Sequence, residues 1–98
     1  MAFKILVSPI ANNNIDEAIK YYKMQSQSAA KSFRKKLFDA YKSLQLNPFF
    51  TVKYKDVRAI PLKKLPYLVL FDIDEQQQIV NILSVSALIR FRKNILKI

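Results

Sequence analysis

The sequence predicts an α+β fold: an N-terminal strand, an antiparallel helical hairpin, then a three-stranded antiparallel meander, all in one sheet with the helices on one face. Three observations predict it. Tyr67 to Asp74 reads YLVLFDID, nearly unbroken aliphatic, β-branched and aromatic residues, and a polar run then precedes a second apolar stretch from Ile79. Upstream, apolar residues recur at steps of three and four over two separate windows, the spacing of one helix face. Phe3, Ile5 and Val7 alternate with Lys4 and Leu6, as a half-buried strand does. A chain of 98 residues with these elements is expected to form one domain, residues 1–98.

In chain order, the first strand covers Phe3 to Ser8 and is expected to end at Ser8-Pro9, because a residue before proline is pushed into extended geometry. Asn12-Asn13-Asn14 follows, and Asn14 is the expected cap of the first helix. That choice places Asp16 and Glu17 in the first turn, where the helix dipole favours negative charge. Ile15, Ala18, Ile19 and Tyr22 then form the buried face of about three turns. Met24 to Ser28 lacks Gly and Pro, so a tight connection capped by Ser26 or Ser28 is expected. The second helix shows a longer stripe at Ala30, Phe33, Leu37, Ala40 or Tyr41, and Leu44. Lys31 and Arg34-Lys35-Lys36 fall largely off that stripe and read as a solvated face. Asn47-Pro48 should stop the helix, since proline has no N–H to donate.

Phe49 to Val52 leads from the helices toward the sheet, and Lys53 to Lys64 is strand-like but holds Pro61. Proline is tolerated at an edge or a bulge, so irregularity is expected there. Asp74-Glu75-Gln76-Gln77 makes the tip of the central hairpin, and the last strand runs from Ile79 to Ala87. Both of its faces are rather apolar, so periodicity does not say which points inward. Leu88 to Ile98 is basic and amphipathic. The chain has no glycine, which leaves its turns to Asn, Asp, Ser and Pro.

Composition narrows the function classes. Seventeen Lys and Arg against seven Asp and Glu give a formal charge of +10, which favours polyanionic partners: nucleic acid, a ribosomal surface or an acidic protein. With 51% hydrophobic residues the chain can still bury a core. The absence of Cys and His removes disulfides, thiolate zinc sites and the commonest general base. Chemistry would have to use Arg, Lys, Tyr or carboxylates, and no metal or other cofactor is expected. No apolar run is long enough to span a bilayer, and residues 1–10 enter a strand pattern rather than a signal peptide, so the expected location is cytoplasmic.

Between Arg58 and Arg90 the chain resembles the RelE/ParE superfamily of bacterial type II toxin–antitoxin toxins. The resemblance rests on Arg58, Ile60, Pro61 and Leu62, on the Pro66-Tyr67 pair entering the central strand, and on Val85 and Arg90. With the strand and helices it covers almost the whole chain. It implies a growth-inhibiting toxin that forms a hetero-oligomer with a cognate antitoxin, an acidic and partly disordered protein. Phe49, Phe50, Phe91 and Ile95, together with Ile98, are candidate antitoxin contacts.

Two targets follow from the resemblance. A ParE-like member acts on DNA gyrase or a related target and needs no catalytic constellation; the Tyr21-Tyr22 pair, the Arg-x-Ile-Pro-Leu strand and the Pro-Tyr entry look closer to this branch. A RelE-like member cleaves messenger RNA in the ribosome without a metal. The resemblance then implies Arg58, Arg90 and Tyr67 as catalytic residues, with Lys63, Lys64 and Arg92 contacting RNA phosphates. Two departures speak against cleavage. Leu68 stands where cleaving relatives tend to carry arginine, and Ser86-Ala87 where many have a polar residue or histidine. A third reading is an inactive basic module that only binds nucleic acid or the antitoxin.

Each candidate also has a plain structural reading. Arg58 could pair across the sheet with Asp56 or Asp72, Lys63-Lys64 could guard an edge, and Tyr67 could be a packed ring with its hydroxyl at the surface. Asp72 and Asp74 lack the further carboxylates of a metal centre.

Overall fold

A computed structural model describes residues 2–87 of the chain. The order is β1 (Lys4–Val7), α1 (Pro9–Gln25), α2 (Gln27–Leu46), a 3-10 turn (Pro48–Phe50), β2 (Val52–Tyr54), β3 (Val57–Pro61), β4 (Tyr67–Asp74) and β5 (Ile79–Ala87). The five strands form one sheet in the order β1-β5-β4-β3-β2. From β2 to β5 each pair is antiparallel, whereas β1 joins the outer edge of β5 in parallel. The sheet is therefore mixed.

The α+β expectation holds, and the strands Tyr67–Asp74 and Ile79–Ala87 lie where the pattern put them. The meander gains one strand. Lys53 to Lys64 is not a single run: the chain reverses at Lys55-Asp56, pairing Tyr54 with Val57. Lys55 makes that reversal with φ 57, in the left-handed region that favours glycine. Lys64 and Gln78 do the same at the next two turns. In a chain without glycine, neither Asn nor Asp takes these positions, so composition gave no warning of the extra turn.

The start of α1 also differs from expectation. Ser8, not Asn14, is the cap: its Oγ accepts a hydrogen bond from the Ala11 N–H at 3.0 Å. The extended backbone that proline imposes on Ser8 (φ −68, ψ 159) is the geometry a cap requires. Pro9 then sits in the first turn, where its missing N–H has no partner to lose. Asp16 and Glu17 consequently lie beyond the first turn. At the other end, Ser26 alone joins the helices. Its N–H donates to the Tyr22 carbonyl and its Oγ accepts from the Ala29 N–H, so one residue closes α1 and opens α2. Asn47 ends α2 as expected and caps the turn at Pro48.

The core lies between the helices and one face of the sheet. Phe33 and Leu44 of α2 are fully buried against Val69, Phe71, Val80 and Ile82. Every member of the expected α2 stripe is buried except Tyr41, which is half-buried. Its hydroxyl is buried without a hydrogen-bond partner among the described residues, and burial pushes the phenol up to about 12.

The inward face of β5 is resolved by a bulge. Leu70 pairs with Ser84, but Phe71 pairs with Ile82, which leaves Leu83 as the extra residue. Inward positions therefore run Val80, Ile82, then Val85, and strict alternation fails. The bulge is tied to α1 on both sides. The Ser8 Oγ donates to the Leu83 carbonyl at 3.0 Å, and Asn14 Oδ1 accepts from the Val85 N–H at 3.1 Å.

Candidate functional site

Two grooves flank the sheet at opposite ends of β4. The first, of about 420 Å³, lies between α1 and the adjoining ends of β4 and β5, and Glu17, Tyr21, Tyr22, Pro66, Tyr67 and Ala87 are among its lining residues. Aromatic packing builds its wall. The Tyr22 ring stacks on Phe33 at 5.6 Å between centroids, and Tyr67 meets Phe33 edge-on at 5.4 Å and Tyr22 at 6.1 Å. Tyr67 is thus held as one ring of a packed cluster, at the first position of β4. Burial raises the Tyr22 phenol above its ordinary range, and the neighbouring Tyr67 and Tyr21 add to the rise. A phenol perturbed in that direction is a weaker source of phenolate at neutral pH.

The second groove, of about 610 Å³, is polar and is lined by Lys53, Asp56, Arg58, Asp72, Asp74 and Glu75 among others. Arg58 is committed to the main chain rather than to an acidic side chain. One guanidinium nitrogen, Nη1, donates to the carbonyls of Phe49 at 3.1 Å and Thr51 at 3.0 Å, and the guanidinium lies 5.5 Å from the Phe49 ring centroid. Phe49 in turn packs edge-on against Phe3, at 5.8 Å. Arg58 therefore clamps the crossing from α2 to β2 onto the sheet. Neither expected partner, Asp56 or Asp72, takes it: Asp72 Oδ1 accepts from Asn81 Nδ2 at 2.9 Å. Asp74 accepts from the Gln77 N–H and shapes the hairpin tip.

Among the described residues the candidates Arg58, Tyr67, Lys63 and Lys64 do not share one groove. Arg58 faces Phe71 across the β3–β4 ladder, while Tyr67 lies four residues earlier on β4 opposite Ala87. Four residues of strand span about 13 Å. The Arg58 guanidinium is turned to the Phe49 and Thr51 carbonyls and the Tyr67 ring to Tyr22 and Phe33, so the two side chains line different grooves. Lys63 and Lys64 are exposed in the turn after β3 and line neither groove. Pro61 closes β3 beyond the last residue paired with β2, at a position where no neighbour needs its N–H. Phe49 and Phe50 are exposed on the 3-10 turn, at 44% and 61%. Arg90, Phe91, Arg92, Ile95 and Ile98 lie outside the described residues. Among the described residues no group of three or more acidic side chains could hold a metal ion, and no helix is long and apolar enough to cross a membrane.

Sequence reasoning missed the tyrosine wall of the first groove. Tyr22 was legible as core, but only the arrival of Tyr67 from a strand 45 positions later makes the cluster.

This fold, a helical hairpin on one face of a mixed sheet with its strands in the order described, defines the class. A family model described as "ParE toxin of type II toxin-antitoxin system, parDE" matches residues 5–87, and the chain belongs to that family. A solved structure from the chromosomal ParDE TA system of P. aeruginosa shares the fold, with a TM-score of 0.73 and 15% sequence identity, over 88% of this chain and 96% of that one. No curated protein matches the chain significantly.

Proposed function

We propose that this protein is a ParE-like toxin that inhibits bacterial growth by binding DNA gyrase or a related target, and that a cognate acidic antitoxin neutralises it in the cytoplasm. The observation that carries the choice of branch is the separation of Arg58 from Tyr67. Cleavage of a phosphodiester without a metal needs a proton-transfer group and a charge stabiliser at one phosphate. Here those groups line different grooves, and the Arg58 guanidinium is engaged by two backbone carbonyls. A binding toxin has no such requirement.

Antitoxin capture is supported by the exposed Phe49 and Phe50 and by a charge of +10 that would steer an acidic chain. The test combines two assays on the purified protein. Gyrase supercoiling is measured with increasing toxin and again after adding the acidic product of the adjacent gene. In parallel, messenger RNA is mapped by primer extension in a purified translation system. Loss of supercoiling that the antitoxin restores, with message intact, is the expected result. Unaffected gyrase with ribosome-dependent cuts would replace this reading with the nuclease.

A further inference from the structure

The outward side of α2 carries a row of cations that neither the core nor either groove uses. Lys31, Lys35, Phe38 and Lys42 follow one another at steps of four, three and four, and Arg34 flanks them. All five are exposed. The buried stripe of Ala30, Phe33, Leu37, Ala40 and Leu44 occupies the opposite side of the same helix, so folding fixes the direction of the row. From Lys31 to Lys42 the helix rises about 16 Å. The row is thus a straight, rigid line of positive charge.

Among the described residues, acidic side chains compensate only a small part of that charge. Of the seven acidic residues, Asp56, Asp72, Asp74 and Glu75 line the second groove, Asp16 and Glu17 lie on α1, and Asp39 alone is on α2, four residues after Lys35 and three before Lys42. A large exposed aromatic also lies within the row. Phe38 is 58% exposed, and the Lys42 ammonium sits 4.8 Å from its ring centroid.

We propose that this face of α2 binds the phosphate backbone of double-stranded DNA without reading sequence, through Lys31, Arg34, Lys35 and Lys42. A rigid rod of cations suits a duplex, whose phosphates are held at fixed positions along a stiff backbone and whose base faces are stacked away from a protein surface. Binding of single strands relies on a track of aromatic rings that stack on successive bases. The row offers one ring, and an ammonium lies beside it. A folding peptide would look for apolar anchor sites at helical spacing, and Phe38 is the single apolar member of the row. The proposal goes beyond the toxin reading and depends on neither gyrase nor an antitoxin.

The experiment is fluorescence anisotropy of a labelled duplex of arbitrary sequence, titrated with the whole protein between about 50 and 200 mM salt. Four phosphate contacts predict a slope of log affinity against log salt of about −3.6, a loss of roughly a hundredfold over that range. Lys35→Ala and Lys42→Ala should each make the slope shallower by about one and weaken binding to every sequence alike. Lys4→Gln, on β1, serves as the charge-matched control, and circular dichroism checks that the variants fold. Slopes unchanged in the α2 variants, or reduced equally by Lys4→Gln, would overturn the proposal. So would tighter binding of a single strand of equal length, of an RNA duplex or of polyglutamate.

Discussion

Arg58→Ala separates a structural clamp from a catalytic group, because the two roles predict different measurements. The guanidinium makes two hydrogen bonds to the Phe49 and Thr51 carbonyls and packs on the Phe49 ring. A hydrogen bond from a charged donor contributes about 1.5–3 kcal/mol when shielded. Both bonds here share one nitrogen on a half-buried side chain, so about 1.5 kcal/mol for the pair is a reasonable magnitude. The cation–π contact adds about 0.5 kcal/mol. The sum, about 2 kcal/mol, corresponds to a fall in Tm of roughly 10 °C for a domain of this size. The loss should be felt first at residues 48–54, which the clamp holds to the sheet, so limited proteolysis should open that segment before the core. Arg58→Lys should recover little, since an ammonium lacks the planar face that packs on Phe49. A Tm within about 2 °C of the parent protein, with an unchanged cleavage pattern, would refute the clamp. If toxicity were lost under those same conditions, Arg58 would be acting directly on a target.

Ser8→Ala removes both the cap of α1 and the bond to the Leu83 carbonyl, and should lower stability in urea by about 1–2 kcal/mol; an unchanged midpoint would return the cap to another residue. Tyr41→Phe deletes a buried hydroxyl that has no partner among the described residues, and should leave stability equal or raise it by about 1 kcal/mol. The same substitution has a signature in alkali. Tyr41 is held at about 12 against an ordinary 10.0, so the folded state retains its proton where the unfolded state loses it. Its contribution is fully present below pH 10 and is lost between pH 10 and about 12 as pH rises. The stability difference between parent and Tyr41→Phe should therefore shift in favour of the variant across that window, and a flat difference would contradict the burial of the phenol.

Much of the fold was legible because local patterns and tertiary packing agree. The stripe Ala30, Phe33, Leu37, Ala40 and Leu44 is buried as its spacing implies, and β4 and β5 occupy the apolar runs that announce them. Misreadings arise where one residue serves two elements. Ser8 was legible as the end of a strand, yet the extended geometry that ends β1 is also what starts α1. Asn14 has the side chain of a cap, but it serves a strand 71 residues away. The site was less legible than the fold. Arg58 reads as a phosphate ligand from its type and its place before Ile60-Pro61-Leu62, while its partners are carbonyls, which every residue possesses and no sequence pattern marks.

The helical hairpin, the central β-hairpin, the +10 charge and the exclusion of cysteine and histidine chemistry are all written in the order of the amino acids. These depend on residue identity and on spacing within one element. Tertiary packing alone sets β1 parallel beside β5, turns Val85 inward through a bulge at Leu83, and assigns Arg58 and Tyr67 to different grooves. Those facts depend on which distant segments meet and in what register. A one-residue slip at a bulge reverses every side chain beyond it, and no count of apolar residues along the chain contains that information.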